Sequence, residues 1–166
     1  MRVQRGVGRL ARHQSEEEVT CVFCSIVSGD THAHVVLDDE HVLAFLDTKP
    51  IFFGHVLVVP KKHVVTLPEL DPKEVGPLFA RVQLLSAAVP AAMEAQGTFV
   101  AMNNVVSQSV PHLHAHVVPR TKGDGLRGFF WPRQKYAEGE AEQAADAIRE
   151  ALHLLGRSPQ GPATQP

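Results

Sequence analysis

The stretch Pro111-His112-Leu113-His114-Ala115-His116-Val117-Val118-Pro119-Arg120 alternates three histidines with single apolar residues, and this pattern strongly limits how the chain can fold there. In an extended strand, successive side chains point to opposite faces. His112, His114 and His116 would therefore share one face while Leu113, Ala115 and Val117 share the other. A lone histidine on such a strand is usually just part of its polar face. Three ring systems in a row are harder to account for, because each imidazole needs a hydrogen-bond partner, a metal or a reacting ligand once it is partly buried. Two chemistries suit them: metal coordination, or a neutral imidazole acting as nucleophile with its neighbours in support.

The flanking sequence supplies an α+β frame for this strand. His34-Val35-Val36-Leu37 and Val42-Leu43-Ala44-Phe45-Leu46 flank Asp38-Asp39-Glu40 and read as a hairpin with a polar turn. His55 to Val59, Phe99 to Asn103 and Leu113 to Val118 supply three more strands. Asp71-Pro72-Lys73-Glu74 has the features of a helix start: an Asp cap, Pro at the first position and an acid three residues on. Val75, Leu78, Phe79, Val82, Leu85 and Val89 then recur at helical spacing, so this helix is expected to pack across the sheet. Pro77 is expected to delay its start, and Pro90 to kink or end it. After a turn at Lys122-Gly123-Asp124-Gly125 comes an aromatic loop, Gly128-Phe129-Phe130-Trp131-Pro132. A C-terminal helix over Ala141 to Leu155 follows, with Ala144, Ile148, Ala151, Leu152 and Leu155 on one face.

Composition restricts the function classes. A chain of 166 residues that is 44% hydrophobic and carries net charge −2 can bury one core, and it lacks the basic field that nucleic-acid binding requires. No apolar run approaches the roughly 20 residues of a membrane span. The opening Met1 to Arg12 has arginines but no apolar signal-peptide core, and Glu16-Glu17-Glu18 ends it. The reading is a cytoplasmic protein with a flexible extension over 1–18, one domain over 19–120, a loop and helix over 121–157 completing it, and a disordered Pro- and Gln-rich tail over 158–166. Neither a nucleic-acid nor a membrane partner is expected.

Cys21 and Cys24 form a Cys-x-x-Cys pair. In a reducing compartment that spacing suits zinc or redox work, and the βαβ pattern expected beside a redox motif is missing. Structural zinc needs two more ligands, for which His63 and His112 are the histidine candidates.

Taken in order, Cys21-Val22-Phe23-Cys24, Val42 to Asp47, Gly54 to His63 and Gln108-Ser109-Val110-Pro111 leading into the triple-histidine strand resemble the histidine-triad (HIT) family of nucleotide hydrolases and transferases. The resemblance implies a HIT-like α+β fold: an antiparallel sheet of about five strands, one long helix and a C-terminal helix. It also implies a purine nucleotide substrate, a nucleoside phosphoramidate or dinucleoside polyphosphate, cleaved at the α-phosphate through a nucleotidyl-histidine on His114. Within it His116 and His55 donate to phosphoryl oxygens, Asp47 binds ribose hydroxyls, and Phe23 and Ile26 line an apolar slot for the base. Asn103, Gln108 and Ser109 cradle phosphate in a polar loop, the quartet Cys21, Cys24, His63 and His112 holds zinc, and two copies pair as a homodimer.

The phosphorus of such substrates is screened by anionic oxygens, so a neutral nitrogen nucleophile is apt, provided one ring nitrogen of His114 is bare and a backbone carbonyl holds the other. Two other readings stay open at this point: the triad as a catalytic zinc face, and a nucleotide-binding or adaptor module without turnover. The chain departs from the family in having Ser107 where a glycine usually precedes the Gln, and Val105-Val106 shorten and stiffen that loop. His13, His32, His34, His41 and His153, with Lys61 and Lys62, are read as surface groups.

Overall fold

The computed structural model describes residues 21–126 and 136–154. The expected N-terminal extension, the aromatic loop over 128–132, residue 155 and the tail lie outside the described residues. The chain divides into two compact units, 1–124 and 125–166, and the first carries the five strands found among the described residues.

In that unit, helix α1 (Val22–Val27) precedes strands β1 (Val35–Asp38), β2 (Val42–Leu46) and β3 (Val56–Pro60). Helix α2 (Pro72–Ala92) follows, then β4 (Gly97–Ala101) and β5 (Ala115–Arg120). The strands form one antiparallel sheet in the order β1-β2-β3-β5-β4. Both faces of its centre are covered. Val42, Ala44, Val56, Val58, Ala115 and Val117 pack with Leu78, Val82, Leu85 and Val89 of α2. Leu43, Phe45, Leu57 and Val59 pack on the opposite face with Phe23 of α1. Double coverage explains why β2 and β3 are apolar runs without polar alternation. It also sends β5's His116 to the α1 side, because its neighbours Ala115 and Val117 face α2.

Three expectations need correction. The triad does not lie within one regular strand, because β5 begins only at Ala115 and His112 and His114 precede it. The ladder pairs Val58 with Ala115, and two residues further along β3 stands Pro60, which has no N–H to extend it. Instead the His112 imidazole takes over, its Nε2–H donating to the Pro60 carbonyl at 2.8 Å, while Leu113 N–H donates to Val64 O at 2.7 Å. Second, neither proline delays nor ends α2, which runs through Pro77 and Pro90 for 21 residues from its Asp71 cap, whose carboxylate accepts from Lys73 N–H at 2.9 Å. Four buried side chains on the sheet outweigh the lost helical hydrogen bonds. Third, α2 is by length and composition apolar enough to cross a bilayer. Leu78, Val82, Leu85 and Val89 of that composition are buried against the sheet. Helix α1 and the 3-10 turn Leu67–Glu69, with its Thr66 and Glu69 capping box, were absent from the sequence reading. β4 begins two residues earlier than expected, leaving Asn103 beyond its end.

In the second unit, helix α3 (Glu140–Leu154) forms where expected, and its Ile148 is exposed.

Candidate functional site

The segment from Pro111 to His116 crosses the α1 face and presents its three histidines to three different surroundings. His112 is fully buried and its Nδ1 lies 3.5 Å from both Cys21 Sγ and Cys24 Sγ. Cys24 Sγ is also 3.2 Å from His63 Nδ1. All four ligand atoms lie within 4.8 Å of one another. Zinc bonded to sulfur at about 2.3 Å and nitrogen at about 2.0–2.1 Å in a tetrahedron sets an S···N edge of about 3.6 Å, so the quartet has the right size. The tautomer fits too: Nε2–H is spent on Pro60 O, which leaves the Nδ1 lone pair facing the sulfurs. Burial holds His112 below the usual histidine range, and burial together with the neighbouring Cys21 pushes the Cys24 thiol up. A thiol raised in this way favours its proton until a cation arrives. Both cysteines are free thiols.

His114 has its Nδ1–H directed to the carbonyl of His112 at 2.7 Å, so Nε2 carries the lone pair. The ring of Phe23 packs edge-on against it at 5.3 Å, and fixes it from the side. Phe23 is buried and also stacks edge-on with Phe45 at 5.4 Å, so it belongs to the core wall as much as to any slot. Ile26 packs on the same cluster.

His116 lies 4.9 Å from the His114 ring and belongs to a relay. Ile51 N–H donates to His55 Nδ1 at 3.2 Å, which makes that nitrogen an acceptor and puts the proton on Nε2. His55 Nε2–H then donates to His116 Nδ1 at 3.0 Å, so His116 carries its own proton on Nε2. The direction of this chain sets His55 one step behind His116, as the group that fixes its tautomer. Burial, then the neighbouring His114 and His55, lowers His116 to about 4, and burial lowers His55 as well. Asp47 Oδ2 lies 3.5 Å from His55 Nδ1, while Oδ1 accepts from Lys49 N–H at 2.8 Å. Asp47 and His55 line a cleft of about 550 Å³ with Leu46, Thr48, His32 and His34.

The polar loop before the triad is largely occupied with itself. Gln108 Nε2 donates to Val65 O at 2.6 Å and its Oε1 accepts from Val105 N–H at 2.8 Å. Asn103 donates to Ser107 O at 3.2 Å, and Asn104 accepts from Leu67 N–H at 2.7 Å. These side chains brace the loop, whose Val105 and Ser107 hold φ of 68° and 60°, the left-handed region that favours glycine. Ser109 lines a separate cleft of about 350 Å³ with Cys21, Val22, Val65, Val110 and Pro111. His41 is paired with Glu74 at 2.9 Å and Lys61 with Asp38 at 2.6 Å, both outside the site.

Comparison with known proteins gives a consistent result. A family model described as HIT domain matches residues 28–123. The crystal structure of a HIT family protein from Bacillus subtilis superposes with TM-score 0.74 at 35% identity, covering 80% of this chain and 97% of that one. A zinc-bound histidine triad family protein from Mycobacterium smegmatis gives TM-score 0.62 at 38% identity, covering 82% and 96%. An adenylylsulfatase of Arabidopsis thaliana is 32% identical over 143 residues, 81% of this chain and 71% of that protein.

Proposed function

Since the chain belongs to the HIT family, we propose that it is a nucleotide-binding hydrolase or nucleotidyl transferase that cleaves at the α-phosphate through a nucleotidyl-histidine on His114. The observation that carries this reading is the bond from His114 Nδ1 to the His112 carbonyl, which keeps Nε2 bare and aimed. His114 Nε2 attacks the α-phosphorus; the P–N bond forms as the bond to the leaving group breaks, and water later cleaves the P–N bond to free the nucleoside monophosphate. His116 donates from Nε2 to a phosphoryl oxygen as charge develops there, and the relay from Ile51 through His55 keeps the proton at that position. Asp47 accepts from the ribose hydroxyls, Phe23 and Ile26 back the base, and Ser109 is the phosphate contact in the loop. Gln108 and Asn103 shape that contact by bracing the backbone.

Zinc fits Cys21, Cys24, His63 and His112 on the edge lengths and tautomer above, and a similar protein is zinc-bound. Holding it would tie α1, the segment after β3 and the approach to β5 together through those four side chains, a structural role apart from His114. The reading of the whole triad as a catalytic zinc face loses support, because His112 turns to the sulfurs and His114 is tied to a carbonyl. Free thiols fit the reducing cytoplasm. A homodimer is supported by edge strand β4, whose Val100 is exposed, and by exposed Phe79 and Leu84 on α2.

The test offers the purified chain adenosine phosphoramidate, adenylyl sulfate and a diadenosine polyphosphate in parallel, and traps adenylylated protein for mass measurement. Turnover and adduct are both expected to vanish in His114→Ala. Turnover that survives this substitution overturns the mechanism, and ligand binding without turnover by the parent supports the binding-module reading. Sedimentation of the same sample checks the dimer.

A further inference from the structure

The loop between β2 and β3 holds an aromatic ring out in solvent. Phe53 is 89% exposed and packs into neither core cluster. The loop that carries it is well tied. Asp47 N–H donates to His55 O at 3.0 Å, His55 N–H to Phe52 O at 3.0 Å, Lys49 N–H to Asp47 Oδ1 at 2.8 Å and Ile51 N–H to His55 Nδ1 at 3.2 Å. The bonds that fix Asp47 and His55 therefore also fix the backbone on which Phe53 stands. A single exposed apolar residue is ordinary on a surface, but this one lines the cleft of about 550 Å³ that Asp47 and His55 share, together with His32 and His34. His34 is seated there through its carbonyl, which accepts from Leu46 N–H at 3.0 Å beside Asp47, and its ring meets that of His32 in a T-shaped contact at 5.1 Å. Both imidazoles are exposed.

We propose that this cleft recognises the base, with a purine stacked on Phe53 and its polar edge turned to the His32–His34 pair, so that the site prefers purine over pyrimidine nucleotides. The inference rests on the function given above, in which Asp47 accepts from the ribose hydroxyls. The base is attached to the carbon beside the 2′-hydroxyl, so a carboxylate on those hydroxyls brings the base into the cleft that it lines. Phe23 is a poor partner for stacking, being buried and already in T-shaped contact with Phe45, His112 and His114. Ile26 packs on the same cluster as Ala33, the residue between the two histidines, so the apolar slot and the histidine segment rest on one base. A purine offers a larger face for stacking than a pyrimidine, and stacking on an aromatic side chain needs no particular hydrogen-bond pattern. Discrimination then falls to the imidazoles, whose nitrogens can donate to or accept from the ring edge.

The purified full chain is given the 5′-phosphoramidates of adenosine, guanosine, cytidine and uridine and the base-free ribose 5-phosphoramidate, all of which lose the same ammonia, and kcat and KM are measured for each. The parent should use the purines better than the pyrimidines, and at least about tenfold better in kcat/KM than the base-free compound. In Phe53→Ala the advantage of adenosine over the base-free compound should shrink about tenfold, carried by KM, and Phe53→Trp should restore it. His34→Ala should narrow the ratio of purine to pyrimidine. A parent indifferent to the base overturns the preference. A Phe53→Ala loss of equal size on the base-free compound, or no loss on adenosine, overturns the stacking role; the latter with altered sedimentation assigns the ring to a contact between copies. Calorimetric binding of adenosine 5′-monophosphate to the same proteins keeps this inference apart from the chemistry. A parent that binds the monophosphate through Phe53 yet turns nothing over upholds base recognition while the nucleotidyl-histidine reading fails, and a parent that binds no nucleotide overturns both.

Discussion

The two ends of the triad use the same side chain for opposite purposes, and the difference lies in what holds the second ring nitrogen. At the cysteine end, His112 Nε2 is tied to the Pro60 carbonyl, so the Nδ1 lone pair faces the two sulfurs. At the cleft end, His116 Nδ1 accepts from His55, so Nε2 offers a proton to an anion. Between them His114 is tied through Nδ1 and offers a lone pair, like His112, but into the space beside His116. An imidazole's role is thus set by its fixed partner.

The comparison is sharpened most strongly at its middle. In His114→Ala, turnover with whichever of the three nucleotides the parent cleaves should fall by at least about 10⁴-fold with folding retained, since the proposed nucleophile is removed. Single-turnover kinetics on the purified variant checks this, and a loss under tenfold breaks the assignment. Next comes the metal end. Cys24→Ser removes a proposed zinc ligand, and its zinc-loaded form should be less stable than the parent by more than about 3 kcal/mol in denaturant melts. A strong chelator should bring the parent down toward the variant, and a parent indifferent to chelation counts against zinc.

The cleft end should reveal itself through acid. His116 falls from 6.5 to about 4 in the folded chain, so below 6.5 the unfolded chain takes up a proton that the folded one refuses. Its contribution to stability is complete above 6.5 and is lost progressively as pH drops toward 4. Thermal midpoints should decline across that window, less steeply in His116→Gln; equal slopes would mean that the ring is no more shielded than in the unfolded chain. The smallest effect is in the loop that leads into the triad. Val105→Gly places glycine at a φ of 68° and should raise stability by about 1 kcal/mol, read as a shift in denaturant midpoint.

Much of this architecture was legible in the sequence, and what escaped it has physical causes. α2 and β5 were readable because their apolar residues repeat at helix or strand period, and the hairpin and β3 because short continuous apolar runs stand between polar turns. Helix α1 spans only 6 residues, too short for a period to show, and takes its place from Phe23 packing beneath the sheet. The break between His114 and Ala115 escaped because the alternation continues through it; Pro60 on the neighbouring strand is what stops the ladder. The four cysteine and histidine candidates were legible as residue types, and only the fold shows their ligand atoms within 4.8 Å of one another. The direction of the His55 relay was not legible, since it depends on Ile51 N–H, a backbone group that any residue would supply. Gln108 looked like a phosphate contact from its position, and its side chain proved committed to Val65 and Val105.

Gly54 immediately precedes His55 in the chain and has a φ of +87°. A methyl group there would come within 2.5 Å of the Met93 side chain, at the residue that caps α2. The far end of the long helix therefore rests against the glycine that precedes His55. A bulkier residue at 93 would crowd Gly54, the residue next to His55 in the chain, and should be felt as a change in the aim of that imidazole. Residue 93 is thus a handle for tuning the cleft from outside, available to an engineer who leaves every reacting group untouched.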